Sequence, residues 1–503
     1  MGGGDPMEMT RREFGGLGLV LAMGARASSA EESRVHRFAY DHVLGTSLDL
    51  VVEVAGADRA EACERAVLEE IERLRRVLST YDPASEISRL NDSRVPVRVS
   101  SELLEVLGLY EEWRVRTGGA FNGQLGTILS LWTNAEATGA PPDPDVLADI
   151  ARQIDGPAVD LDVEAGTARR RSVQRLNVDA LGKNYILAKA LQAARGRVPE
   201  ATGILLCIGG DIVSWGGPWT VGVADPRRPE DNAAPLARTR LGDGALTSSG
   251  GYQRTFKVGG RKYPRMIDPR TGRSAIHVLG ASVLASDPVT ADALSATLCV
   301  LTPAEGLKLI ASMSDVDAVI VDADGAVHES PGWPQRTEPV EIRQQAKSAW
   351  PADFEVSIEL ALAKNPKPAA GKMYKRPYVA IWVEDAAAKV VRTVTVWGNA
   401  PKHIPELSTW WAFVSKDMAL VQAVTKATRD GGSYKIVWDG LDDKGKPCPQ
   451  GAYVVHVEVN REFGQHFKNM AGSIPCRTKP AGVDLPANME VDGIKIRYGA
   501  KAQ

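Results

Sequence analysis

The chain has 503 residues, 44% of them hydrophobic and 24% charged, with a net charge of −3. Length predicts two to four domains at ~150 residues each, with ample apolar material for their cores. The near-neutral balance excludes general nucleic-acid binding, whose affinity rests on neutralising phosphate. No run approaches ~18 uninterrupted apolar residues, so no spanning helix is expected in the mature protein.

The first element is "TRREFGGLGLVLAMGARASSA", which places Arg11-Arg12 ahead of Phe14 and a short apolar run. Small residues follow, Ala25-Arg26-Ala27 and Ser28-Ser29-Ala30. That order reads as a twin-arginine signal over residues 1–30, cleaved after about Ala27 or Ala30, and predicts a periplasmic product.

Residues 36–330 mix helices and strands. Val51 to Val54 reads as a strand. Arg59 to Leu78 carries Val67, Ile71, Leu74 and Leu78 at helical spacing and predicts an amphipathic helix. Ser101 to Arg116 predicts another, stopped by Gly118-Gly119, and a third runs from about Ala180 to Ala194. Then come strand-like runs: "ILLCI", "WTVGVA", and "YQRTFKV" joined to "RKYPRMI" through Gly259-Gly260, a good two-residue hairpin turn. "GASVLA" predicts a strand, "VTADALSATLCVL" a helix, and "DAVIVDADGAVHES" a hairpin around Asp324-Gly325. The pattern lacks strict βαβ alternation and predicts an α+β fold rather than a dinucleotide fold.

Composition shifts at residues 331–373, which read as a linker. From 374 to 480, "YVAIWVED", "VVRTVTVWG", "YKIVWDG" and "AYVVHVEVN" predict a smaller β-sandwich-like domain. "STWWAFVSKDMALVQAVTKATRDGG" adds one inserted helix. The stretch after Cys476 carries Pro480, Pro486 and many polar residues, and residues 481–503 read as a loosely held tail. The five cysteines show no zinc spacing. Cys63, Cys207 and Cys299 read as buried small hydrophobes, and pairing of Cys448 with Cys476 after export stays open.

Asp268-Pro269-Arg270-Thr271-Gly272 follows the Gly-Gly hairpin. Alone it is a turn: Pro presets φ, Asp caps its own backbone and Gly supplies positive φ. Five other stretches accompany it: "LSTYDPASEISRLN" from Leu78, "GGAFNGQLGTILSLW" from Gly118, "LNVDALGKNYILAKAL" from Leu176, "IGGDIVSWG" from Ile208, and "TADALSATL" from Thr290. Gly209-Gly210 after an apolar strand admits close backbone approach. Asp292 sits early in a helix, where the dipole favours an acid.

In order and spacing these stretches resemble the ApbE family of FAD:protein FMN transferases. The resemblance covers roughly residues 36–330. Residues 374–464 resemble a β-rich domain of unassigned function that often follows such transferases. The resemblance implies an exported enzyme that takes FAD as substrate and needs Mg²⁺. It would move FMN onto a Ser or Thr of a target protein and release AMP. Carried over residue by residue, it implies FAD contacts at Leu44, Tyr81, Ala120, Phe121, Asn122, Asn177, Lys183 and Met266. It implies metal ligation by the Ala180 carbonyl, Asp292 and Thr297.

The chain departs from the family pattern at four places: Asn122 and Asn177 stand for Asp, Arg265 for His, and Ala296 for Thr. The family Thr lies four residues after the acid, on the same helix face; here Ser295 and Thr297 flank that place. Two departures remove negative charge, one adds a fixed positive charge and one removes an oxygen, so weakened metal affinity is expected. Two other readings stay open. One is a non-catalytic exported FAD-binding protein whose second domain docks a partner, and the other is an FAD pyrophosphatase.

Overall fold

The computed structural model describes residues 10–12, 34–228, 233, 235–251, 255–339, 350–351, 353–364, 375–398, 404–415, 425–426, 428–429, 431–462 and 464–500. Most of the leader and the first residues of "YQRTFKV" thus lie outside the described residues; Arg11 and Arg12 fall in a short strand, Thr10–Arg12. The chain divides into two units. The main body of the first runs over residues 23–227 and 239–338, that of the second over 339–503.

The first unit is built on one antiparallel sheet. Its strands are β1 (Arg34–Val43), β2 (Thr46–Val54), β3 (Gly203–Ile208), β4 (Asp211–Gly216), β5 (Gly244–Gly250), β6 (Val278–Ala285), β7 (Val316–Asp322) and β8 (Val327–Glu329), and they lie side by side in that order. The pairing of β2 with β3 runs from Leu48 opposite Ile208 to Glu53 opposite Gly203. Neighbours in space are therefore separated in sequence by residues 55–202, which supply six helices: α1 (Ala57–Leu78), α2 (Glu86–Asp92), α3 (Ser101–Arg116), α4 (Gly126–Thr138), α5 (Pro144–Gln153) and α6 (Asp179–Arg197). Two more, α7 (Pro288–Leu298) and α8 (Pro303–Ile310), flank β6 and β7.

Helix α1 forms where the apolar stripe predicts it, burying Ala60, Cys63, Val67, Ile71, Leu74 and Leu78. It packs against α6, which packs against α7, and this row of helices covers one face of the sheet. Helices α4 and α5 were not foreseen. They close over the predicted Gly259-Gly260 hairpin (Thr255–Val258 with Arg261–Pro264) through Ile128, Trp132, Leu147, Phe256 and Ile267. Gly259 and Gly260 have φ of 55° and 79°, the left-handed pair a two-residue hairpin turn requires.

The second unit is a sandwich of a four-stranded and a five-stranded sheet sharing a core that includes Trp350, Ile358, Ile381, Trp438, Val455 and Ile496. The segment read as linker supplies one strand of it, Phe354–Leu362. The segment read as a loose tail supplies two, Ala481–Leu485 and Val491–Ala500. Their apolar residues alternate, with Ile494, Ile496 and Tyr498 buried, and that period of two outweighs the polar composition. The inserted helix Ser408–Val414 is held against the sheet by buried Glu458, which accepts from the backbone N–H of Thr409 and Trp410 at 3.2 and 3.0 Å. A fully buried ion pair joins Arg461 and Glu490 at 2.7 Å. Cys448 and Cys476 are buried thiols of the same core.

Candidate functional site

Two glycine turns lie at one end of the first unit's sheet. Leu44-Gly45 joins β1 to β2 with φ of 47° and 77°, and Gly209-Gly210 joins β3 to β4 with φ of 61° and 101°. The Gly209 N–H donates to Ser47 O at 3.3 Å, so the two turns adjoin. A side chain at Gly209 would press on Thr46 at 3.1 Å. Asp211 opens β4 immediately after this turn.

The start of α6 reaches the same end. Asn177 precedes it in a turn, its Oδ1 accepting from Asp179 N at 2.9 Å and its Nδ2 donating to Asp179 Oδ2 at 3.2 Å. Thr80 Oγ1 donates to Asp179 Oδ1 at 3.0 Å, which brings in the Leu78 motif. Asn177 N donates to Gly123 O at 2.7 Å, which brings in the Gly118 motif. Tyr110 of α3 stacks on Phe121 at 5.2 Å and accepts from Leu181 N at 3.1 Å. Three motifs distant in sequence thus fix one helix terminus.

One turn into α6, Lys183 forms an ion pair with Asp211, which is buried. Asp292 of α7 is buried beside them. Burial pushes its carboxyl up to about 8, the charge of Asp211 adding to the shift and the Lys183 ammonium opposing it. Burial raises Asp211 too, again against Lys183. Asn184 lies against both carboxylates, yet neither of its amide atoms reaches hydrogen-bond geometry with a partner, and neither does Asp292 Oδ2.

The remaining candidates divide into three groups. Ala120 and Met266 meet in a small apolar cluster with Ala275, Val300 and Leu301. The Asp268 turn closes this cluster: its backbone carbonyl accepts from Thr271 and Gly272, and its carboxylate accepts from Arg270. Ala180 is exposed in the first turn of α6, Leu44 half-buried in its turn, and Tyr81 86% exposed. Asn122 and Thr297 are committed elsewhere. Asn122 donates to Ile154 O and accepts from Gln124 N, both at 2.9 Å, a backbone-bracing role. Thr297 Oγ1 donates to Ala293 O at 2.7 Å, and five residues of helix place it about 140° from Asp292. Ser295, three residues on, is the hydroxyl on the Asp292 side; it bonds Asp292 O at 3.0 Å and Ser249 Oγ at 2.8 Å. Arg265 pairs with Glu136 at 3.4 Å and stacks over Phe256 at 4.7 Å.

The donor chemistry suits a hard cation. Among the described residues no three His, Cys, Asp or Glu side chains gather as a metal cluster. Mg²⁺ needs fewer: one or two carboxylates, neutral oxygens, and water or phosphate for the rest. Asp292, with an oxygen left unsatisfied, fits that description.

Both raised carboxyls have a stability consequence. An acid whose folded value lies above its unfolded ~4 contributes stability at low pH and loses it as pH climbs through the folded value. With a chelator present, the melting temperature of this unit is expected to fall from about pH 5 to pH 8, and Asp292→Asn to flatten that slope. An identical slope in the variant would mean that Asp292 ionises at its ordinary value.

Comparison with known proteins places these residues in a family context. The sequence profile of the ApbE family matches residues 44–320, and a profile described as a predicted periplasmic protein, DUF2271, matches residues 363–491. The FAD:protein FMN transferase of Treponema pallidum is 28% identical over 350 residues, covering 64% of this chain and 93% of that protein. That of Rhodobacter capsulatus is 30% identical over 339 residues, covering 64% of this chain and 62% of that protein. The crystal structure of the ApbE protein of Thermotoga maritima superimposes with a TM-score of 0.54 at 26% identity, over 60% of this chain and 99% of that one. The flavin transferase ApbE of Vibrio cholerae shares the fold, with a TM-score of 0.51 at 20% identity over 60% and 99% of the two chains. Among the described residues no helix is long and apolar enough to cross a membrane.

Proposed function

The chain belongs to the ApbE family, and from that premise we propose that it moves the FMN half of FAD onto a Ser or Thr hydroxyl of a target protein. The reading rests on one observation: Lys183, Asp211 and Asp292 meet beside a glycine turn at the end of the sheet. A pyrophosphate needs a cation and a backbone it can approach; Lys183 supplies the first and Gly209-Gly210 the second. Leu44, Tyr81 and Met266 offer faces to the flavin ring, with Ala120 packed against Met266, Phe121 on Tyr110 and Asn177 at the helix start. Asp292 and the Ala180 carbonyl are the residues that would hold Mg²⁺, and the ion would supply positive charge against the pyrophosphate. The target hydroxyl oxygen bonds to the FMN phosphorus, the bond from that phosphorus to the bridging oxygen breaks, and AMP leaves with that oxygen. Arg265, paired with Glu136, cannot exchange a proton near neutrality, so the hydroxyl proton passes to solvent as AMP departs.

The test is incubation of the mature protein with FAD, Mg²⁺ and a flavin-accepting domain. Covalent flavin on the second protein, with one AMP per flavin, is the expected result. AMP with free FMN would instead identify a pyrophosphatase, and bound FAD without AMP a binding protein.

Export through the twin-arginine route belongs to the same proposal; the order of residues 11–30 supports the route, and the DUF2271 match supports a periplasmic destination. Replacing Arg11 and Arg12 together by Lys should leave uncleaved precursor in the cytoplasm, because the pair is read as an address. Fractionation that finds the double variant exported normally would overturn the route.

A further inference from the structure

We propose that Asn184 supplies a cation-ligating oxygen at this site, in the place that Ala296 leaves without one. The proposal rests on the transferase reading for the presence of a cation; the residue assignment comes from the packing. Asn184 is fully buried in α6, next to Lys183, and lies against Asp211 of β4 and Asp292 of α7. A carboxamide has two donor hydrogens and an acceptor oxygen. Burying it unsatisfied is unfavourable, and an apolar side chain would fill the same space in a helix without that cost. Yet neither Asn184 Nδ2 nor Oδ1 reaches full hydrogen-bond geometry with a partner, close as the amide lies to both carboxylates.

Asp292 Oδ2 is in the same condition. Two unsatisfied oxygens on facing helices, one of them on a carboxylate, are what a hard divalent ion uses. The two hydroxyls that flank position 296 on α7 are engaged. Ser295 Oγ bonds Asp292 O and Ser249 Oγ, and Thr297 Oγ1 bonds Ala293 O. Lys183 is held by Asp211 and offers no acceptor. Asn184 Oδ1 is thus a neutral side-chain oxygen of this cluster that is buried, short of full hydrogen-bond geometry and adjacent to Asp292.

The probe is Mn²⁺, titrated into the metal-stripped full chain and read by the electron paramagnetic resonance of the free ion. Asn184→Ala, which suits a helix, should weaken Mn²⁺ binding on the order of 10–100-fold. Asn184→Asp, which keeps an oxygen and adds charge, should bind at least as tightly as the parent. Ala296→Thr added to Asn184→Ala should recover affinity by restoring an oxygen four residues after Asp292. Circular dichroism establishes that each variant is folded. Parent-like Mn²⁺ binding by Asn184→Ala, no binding by the parent, or equal weakness of the Ala and Asp variants would each overturn the assignment. The two readings fail separately. If Mn²⁺ affinity follows Asn184 but no FMN is transferred, the ligand stands and the transferase reading falls. If FMN is transferred and Mn²⁺ affinity ignores Asn184, the reverse holds.

Discussion

Replacing Asp292 by Asn lowers FMN transfer by at least ~10²–10³-fold, the range seen when a group stabilising transition-state charge is removed, while the fold survives. The two halves of this expectation have separate causes. Burial already favours the uncharged form of the group, so a neutral isostere costs the packing little. What Asn cannot supply is a full negative charge on an oxygen with no other partner. Transfer rate measured across a Mg²⁺ titration, beside the melting temperature of the same variant, separates the two effects. A variant that transfers FMN as fast as the parent would take Asp292 out of the reaction.

The second large effect lies in the sandwich. Arg461→Met should destabilise that domain by about 3–5 kcal/mol, because it strands the buried Glu490 carboxylate. Gln465 N–H, at 3.1 Å, would be left to satisfy a charge that two groups now share. Replacing both partners, Arg461→Met with Glu490→Leu, should recover most of the loss, since the pair's own net contribution is small once its desolvation is counted. Urea denaturation followed by tryptophan fluorescence reads both values. A single variant within about 1 kcal/mol of the parent would show that solvent reaches the pair.

The sequence carried the periodic elements plainly. The stripe of α1, the span of α3 and the Gly259-Gly260 turn depend on local chemistry, and each forms where local chemistry puts it. Elements that depend on distant partners were hidden. Val491–Ala500 alternates within a segment whose polar and charged residues read as a tail, and its pairing with Phe354–Leu362 reveals a core strand. The site divides in the same way. Lys183 and Asp292 stand out because they sit in recognisable stretches. Tyr110 does not, since its role comes from stacking on Phe121 and accepting from Leu181, neither of them near it in sequence. Asn184 stands beside Lys183 in the sequence, but its place against Asp211 and Asp292, short of full hydrogen-bond geometry with either, is a property of three packed elements.

The long excursion between β2 and β3 also sets a timetable for synthesis. The β1–β2 hairpin leaves the ribosome early, but the strand that pairs with the free side of β2 follows only after residues 55–202. At ordinary rates of translation that interval lasts on the order of ten to thirty seconds. Throughout it the nascent chain carries an apolar strand, Leu48, Leu50 and Val52 among its residues, with one row of backbone donors and acceptors open to any other extended chain. A chaperone that shields extended apolar segments would have its substrate in this hairpin, and slower translation of the helical excursion would lengthen the exposure to aggregation.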